Sequence, residues 1–228
     1  MFLSAGIAFV MSIAVALLIE TFGGAVGSAI GTIPSTILPA SYLVMVNTDL
    51  SEEMRLESLL GSVYGVFATD IIFIPSWKWV PQRMPKRWSK AWQVAGATIV
   101  TLLLWFVGAV AVTLLQGLLE SLGLPMIGFC VLLMLFTLCC GVALCWSLPP
   151  TPAGKNHVEW YIHLLRGLSS GVVIFFSGMM SQSGLGVAAG AMATFPAIFC
   201  ATIVSVSLAQ GPEVITGALG PLLIGGMA

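Results

Sequence analysis

The stretch FGGAVGSAIGTIPSTILPA, residues 22–40, decides how this chain can fold. It holds four glycines, two serines, two threonines and two prolines, although the chain as a whole is 58% apolar. Proline removes one backbone hydrogen bond from a helix, and its ring blocks another. In lipid the freed carbonyl groups must find partners inside the protein. The stretch therefore predicts an interrupted membrane helix with polar groups gathered at the interruption.

The composition of the whole chain points to the bilayer as its solvent. Only 7% of the 228 residues are charged, and the mean hydropathy is +1.06. A soluble domain cannot cover that much apolar surface with so few charges. Apolar runs of about 20 residues recur along the chain, without the alternation typical of barrel strands. We therefore predict an all-α, polytopic helical membrane protein, one transmembrane domain over 1–228, with lipid as its main partner.

About eight transmembrane segments can be placed along the chain. The last is shorter than the roughly 20 residues that a spanning helix needs. Turn-forming and polar stretches separate the segments. The predicted segments, numbered 1 to 8, are 2–19, 24–46, 58–75, 93–119, 126–147, 158–180, 186–209 and 213–228.

The basic residues predict the orientation of the chain. Loop 76–91 carries five of the eight, and Lys155 and Arg166 fall on the same side of the membrane. Because cytoplasmic loops are enriched in lysine and arginine, this side is predicted to be cytoplasmic and the N-terminus to lie outside. Four tryptophans around the loop are interpreted as an interface belt: Trp77, Trp79, Trp88 and Trp92. A net charge of −1 argues against nucleic acid as a partner.

Residues 183–202, SGLGVAAGAMATFPAIFCAT, repeat the pattern of the opening stretch. At a constant offset of 162 residues, Pro34 aligns with Pro196 and Thr32 with Thr194. The two copies fall in segments 2 and 7, which cross the membrane in opposite directions. Each proline lies about ten residues from the start of its segment, or about half of a 30 Å hydrocarbon core. Both interruptions are therefore predicted near the midplane.

This arrangement resembles the architecture of secondary transporters with inverted-topology repeats and discontinuous helices. The resemblance implies a first repeat at 1–75, a linking helix pair at 92–147 and a second repeat at 158–228. Residues 24–80 also resemble small GlpM-like inner-membrane proteins. Neither resemblance assigns a role to a particular residue.

The two interruptions supply the candidate substrate site. Freed carbonyls and hydroxyls at matched depth are suited to bind a small polar solute or a cation. The alternative is a seam of small residues, with hydroxyls that cap their own backbone. The predicted substrate-binding residues are Thr32, Pro34, Ser35, Thr36, Thr194 and Pro196.

Two carboxylates are candidates for proton or cation coupling. Asp70 lies inside segment 3, and Glu20 ends segment 1. Ionisable groups within the membrane are costly and commonly functional. His157 and His163 are not spaced to share a helix face, so no metal site is predicted, and no cofactor motif is present. The sequence lacks a recognisable nucleophile–base pair, so we predict that the protein is not an enzyme.

The sequence-based hypothesis is a secondary transporter or permease for a small polar solute or ion. A passive channel built on the same interruptions is one alternative. A non-catalytic membrane assembly or scaffold subunit, whose small-residue seams bind partner helices, is the other. The sequence leaves the substrate and the oligomeric state open, and a homo-oligomer is compatible with it.

Overall fold

The computed structural model describes residues 2–22, 36–147 and 159–210, and all regular structure within these ranges is helical. The all-α prediction is therefore confirmed. A short 3-10 turn, Pro81–Arg83, connects the two longest helices. In chain order the helices are α1 (Phe2–Phe22), α2 (Ile37–Val46), α3 (Glu52–Ser76), α4 (Lys90–Ser121), α5 (Met126–Ser147), α6 (Trp160–Gln182), α7 (Gly186–Ala193) and α8 (Ala197–Gln210).

Three of the described helices are long and apolar enough to cross a membrane, fewer than the eight segments predicted. They are α3, α4 and α6. Three further apolar helices are shorter, at Phe2–Leu18, Ile37–Val46 and Met126–Cys140. Segment 7 is two short helices, α7 and α8, instead of one long one. Segment 8, the first half of segment 2 and the connection at 148–158 lie outside the described residues.

α1 and α6 pack along each other in opposite directions. Phe2 lies near Phe175, with ring centroids 5.3 Å apart. Further along α1, Ile13 contacts α6 at Gly167, nearer to the start of that helix. A Cβ atom on Gly167 would stand 2.8 Å from Ile13 Cγ1, so a side chain here would push the two helices apart. The close approach depends on glycine.

α3 and α7 pack in the same direction through a second glycine contact. Gly61 lies against Val187, and Gly65 lies against Ala191. Gly190 of α7 in turn approaches the α3 backbone too closely for any Cβ atom. The small residues of α7 therefore act at least in part as a packing seam, which is the structural alternative that the sequence left open.

The acidic stretch before segment 3 is helical, which corrects the predicted start at residue 58. α3 begins at Glu52, and Ser51 caps it by accepting a hydrogen bond from the Met54 N–H over 3.2 Å. Glu52 and Glu53 lie in the first turn, where the positive end of the helix dipole stabilises negative charge. Local capping chemistry thus extends the helix beyond its apolar part.

One of the four tryptophans assigned to the interface belt lies in the core instead. Trp77 is only 2% exposed and packs edge-on against Phe73, with ring centroids 6.4 Å apart. Trp79, Trp88 and Trp92 are exposed, as predicted for interfacial anchors. Trp77 differs because it closes the end of α3, and the turn that follows carries the next residues outward.

Candidate functional site

The candidate site lies where segment 7 is interrupted. α7 ends at Ala193 and α8 begins at Ala197, so the interruption contains Thr194, Phe195 and Pro196. Pro196 has no backbone N–H to continue the helix. The Thr194 hydroxyl donates to the Ala191 carbonyl over 2.8 Å and so caps the end of α7. That hydroxyl serves its own backbone, as the packing alternative expected.

The carbonyl freed at the interruption has a partner in α3. Thr69 Oγ1 donates to the Thr194 carbonyl over 3.3 Å. Trp105 Nε1 of α4 donates to Thr69 Oγ1 over 2.9 Å, and the Trp105 ring meets Phe195 edge-on with centroids 5.1 Å apart. These contacts join three helices at one buried point. The interruption is therefore held in place by specific polar and aromatic contacts.

The segment of α3 that receives the interruption is a π-helix, Ala68–Phe73. Its widened turn is visible in the bond from the Ile74 N–H to the Thr69 carbonyl, one residue longer than in an α-helix. π-Helical turns occur often at functional sites, because they displace side chains from the regular helix face. Here the turn carries Asp70 directly after Thr69.

Asp70 is buried inside the protein, with 1% of its surface exposed. Within the described part of the chain, no hydrogen-bond partner reaches its Oδ2 atom. A carboxyl oxygen without a partner inside a membrane-spanning helix is costly, which marks the position as a functional candidate. The structure thus places Asp70 next to the residue that holds the interrupted helix.

The second half of segment 2 also reaches this region. α2 meets α7 where Ala40 and Ala193 share an apolar cluster with Ala8 and Ile174. Thr36 lies one turn before Ala40, and its carbonyl accepts the Ala40 N–H over 3.2 Å. The two half-helices therefore pack together one residue before the interruption at Thr194.

Of the predicted site residues, only some fall in the described ranges. Thr36, Thr194, Pro196 and Asp70 are described, whereas Thr32, Pro34 and Ser35 lie outside them. Glu20 falls in the last turn of α1, with its side chain outside the described part. The interruption in segment 7 and Asp70 are brought together through Thr69, and Thr36 lies on the adjoining half-helix.

A small cavity lies between α2, α3, α6 and α7. It has room for about one water molecule. Four serines contribute to its wall, and the remaining lining is small or apolar. The lining residues are Ile37, Ala40, Ser41, Val44, Ser58, Leu59, Ser62, Ser177, Gly190 and Ala193. We call this space the serine cavity.

α6 presents a buried polar face that the sequence interpretation missed. Its members follow helical spacing: His163, Arg166, Ser170, Ser177 and Ser181. Arg166 had been counted with the cytoplasmic surface charges, but it is only 4% exposed, which corrects that assignment. His163 and Arg166 both make interactions within the protein. The spacing of serines with Arg166 along an otherwise apolar helix was the signal available in the sequence.

Trp105 and Thr69 were also missed as site residues. A tryptophan in the middle of an apolar helix needs a partner for its N–H when it is buried, and this was the only signal for Trp105. Within the described ranges, no group of three or more histidine, cysteine or acidic side chains is arranged to hold a metal ion. Comparisons of the chain with protein-family models, with curated proteins and with solved structures find no match.

Proposed function

We propose that this protein is a secondary transporter or permease for a small polar solute or ion. One observation carries the proposal. Thr69 bonds the carbonyl freed at the interruption of segment 7, and the next residue is the buried Asp70. An interrupted helix beside a buried carboxyl group joins a place for solute binding to a group able to carry a proton or cation.

The finer topology is part of the proposal. We propose eight crossings, an outside N-terminus, a cytoplasmic loop 76–91 and an inverted repeat of segments 1–3 and 6–8. The offset of 162 makes residues 164–184 the equivalents of 2–22. This range overlaps α6, and the antiparallel packing of α6 on α1 supports a two-fold axis in the membrane plane.

In this mechanism the two repeats rock against each other around a fixed site. The solute binds near Thr36, Thr194 and Pro196 together with Thr32, Pro34 and Ser35 of the first interruption. Asp70 carries the coupling proton or cation. Loading Asp70 changes the balance of charge beside Thr69, and the Thr69 bond passes that change to the start of α8. Glu20, at the end of α1, is a second candidate for the same coupling.

The scaffold alternative has less support from the packing. Its seams would have to bind helices of another protein, whereas Gly61, Gly65 and Gly190 are already occupied by contacts between α3 and α7. A passive channel differs from a transporter in its rate. Its flux would rise far above transporter turnover and would not saturate with solute.

The test uses purified protein in proteoliposomes and a panel of amino acids, sugars, organic acids, nucleosides and simple ions. We expect saturable uptake of one class by the parent, driven by a proton or cation gradient. Asp70→Asn abolishes the gradient dependence, and Asp70→Glu restores part of it. Glu120→Gln is the control, because Glu120 is an exposed carboxylate at the end of α4 that accepts a bond from Gln116. Normal coupled uptake by Asp70→Asn would sink the coupling role.

A further inference from the structure

The serine cavity has a polarity that limits what it can bind. Ser62 Oγ donates to the Leu59 carbonyl over 2.6 Å. Ser177 Oγ donates to the Ala189 carbonyl over 2.7 Å. A serine hydroxyl has one proton to donate and two lone pairs to offer. Because both protons are committed to backbone carbonyls, these two hydroxyls face an occupant only with lone pairs.

A third hydroxyl adds to the same wall. Ser58 Oγ lies 3.4 Å from Ser181 Oγ, a distance at which one serine donates to the other. Ser58 lines the cavity, and Ser181 is buried behind it on α6. The wall is thus rich in oxygen lone pairs, and an anion there would meet repulsion from Ser62 and Ser177.

The lining also contains no carboxylate. Divalent cations such as Ca²⁺ and Mg²⁺ draw on carboxylate ligands and keep part of their water shell, which a space for about one water molecule cannot hold. A monovalent cation needs less charge from its ligands. The occupant that fits is one small ion or molecule that only receives lone pairs.

We infer that the serine cavity, formed by Ser58, Ser62 and Ser177 between α2, α3, α6 and α7, is a binding site for a dehydrated monovalent cation, with sodium as the ion of choice. It is a different place from Asp70, since the pi-helical turn does not line it. A bound ion would connect the half-helices α2 and α7 to α3 and α6. Its use in coupling rests on the proposed function, whereas the binding itself does not.

The experiment measures the melting temperature of the detergent-purified full chain. Sodium, lithium and potassium chloride are compared with choline chloride at equal ionic strength. We expect sodium to raise the melting temperature in a saturable manner, with no rise in choline. Ser62→Ala and Ser177→Ala should each lose this shift. Ser169→Ala is the matched control, because its hydroxyl also bonds a backbone carbonyl of α6 but does not line the cavity.

Each outcome decides the inference. Equal melting temperatures in sodium and choline would overturn it and leave an ordinary water as the occupant. A sodium shift that survives in both cavity variants but disappears in Asp70→Asn would place the ion at Asp70 and also overturn it. A shift that is lost in the cavity variants and kept in Asp70→Asn supports it. Absence of uptake alongside an intact shift would count against the proposed function alone.

Discussion

The indole N–H of Trp105 donates to the hydroxyl of Thr69 over 2.9 Å, and Thr69 donates onward to the carbonyl of Thr194. This chain of two hydrogen bonds runs from α4 through α3 to the interruption before α8. It satisfies a carbonyl that has no helical partner, in a region where water is scarce. The chain is therefore the structural connection on which the candidate site depends.

Trp105→Phe removes the first donor of this chain and keeps the aromatic ring against Phe195. We expect a loss of about 1–3 kcal/mol in unfolding free energy, because the Thr69 hydroxyl loses a buried partner. Reversible chemical unfolding in detergent measures it. Trp92→Phe is the control, since Trp92 is 71% exposed and should change stability little. Equal stabilities for the two variants would show that the bond contributes nothing.

Gly65→Ala tests the close contact between α3 and the interruption. An added Cβ atom would overlap the Thr194 hydroxyl and the Ala191 carbonyl. We expect a destabilisation of about 1–3 kcal/mol from overpacking, seen as a lower unfolding midpoint. Gly117→Ala on α4 has nothing within 4 Å of the new atom and should be neutral or stabilising by about 0.5–1 kcal/mol. A stabilised Gly65→Ala would contradict the packing.

Ser51→Ala tests the helical start of α3 at Glu52. Loss of the hydroxyl leaves the Met54 N–H without its cap, at a cost of about 0.5–2 kcal/mol. Ser51→Asp should restore the stability, because aspartate caps a helix as well as serine does. Unfolding free energies of the three proteins decide the matter. If serine, alanine and aspartate are equivalent at this position, α3 does not begin there.

Trp77→Ala and Trp79→Ala form a pair that separates core from interface. Trp77 is almost fully buried and should cost about 3–5 kcal/mol when truncated. Trp79 is 46% exposed, and its loss should affect membrane anchoring more than folding stability. Thermal unfolding in detergent, where the bilayer is absent, compares the two. Similar losses would return Trp77 to the interface belt.

Sequence patterns with local causes were the ones that could be interpreted before the structure. Pro196 interrupts segment 7 because proline lacks an N–H, and this depends only on the residue itself. The pairing of Trp105 with Thr69 joins residues far apart in the chain, so no local pattern contains it. Trp77 was misplaced for the same reason, since the neighbours that bury it come from other helices. The buried charge of Arg166 was hidden by its nearness to a basic side of the chain.

The π-helical turn at Ala68–Phe73 also sets the facing of everything that follows it on α3. A π turn is an α-helix that has accepted one extra residue. Deleting a single residue between 68 and 73 would return a regular helix and rotate the remainder by about 100°. Trp77 would leave the core, and the loop after it would start from a different side. The insertion that creates the unusual position of Asp70 is therefore the same one that orients the basic loop, and a change in length here alters both at once.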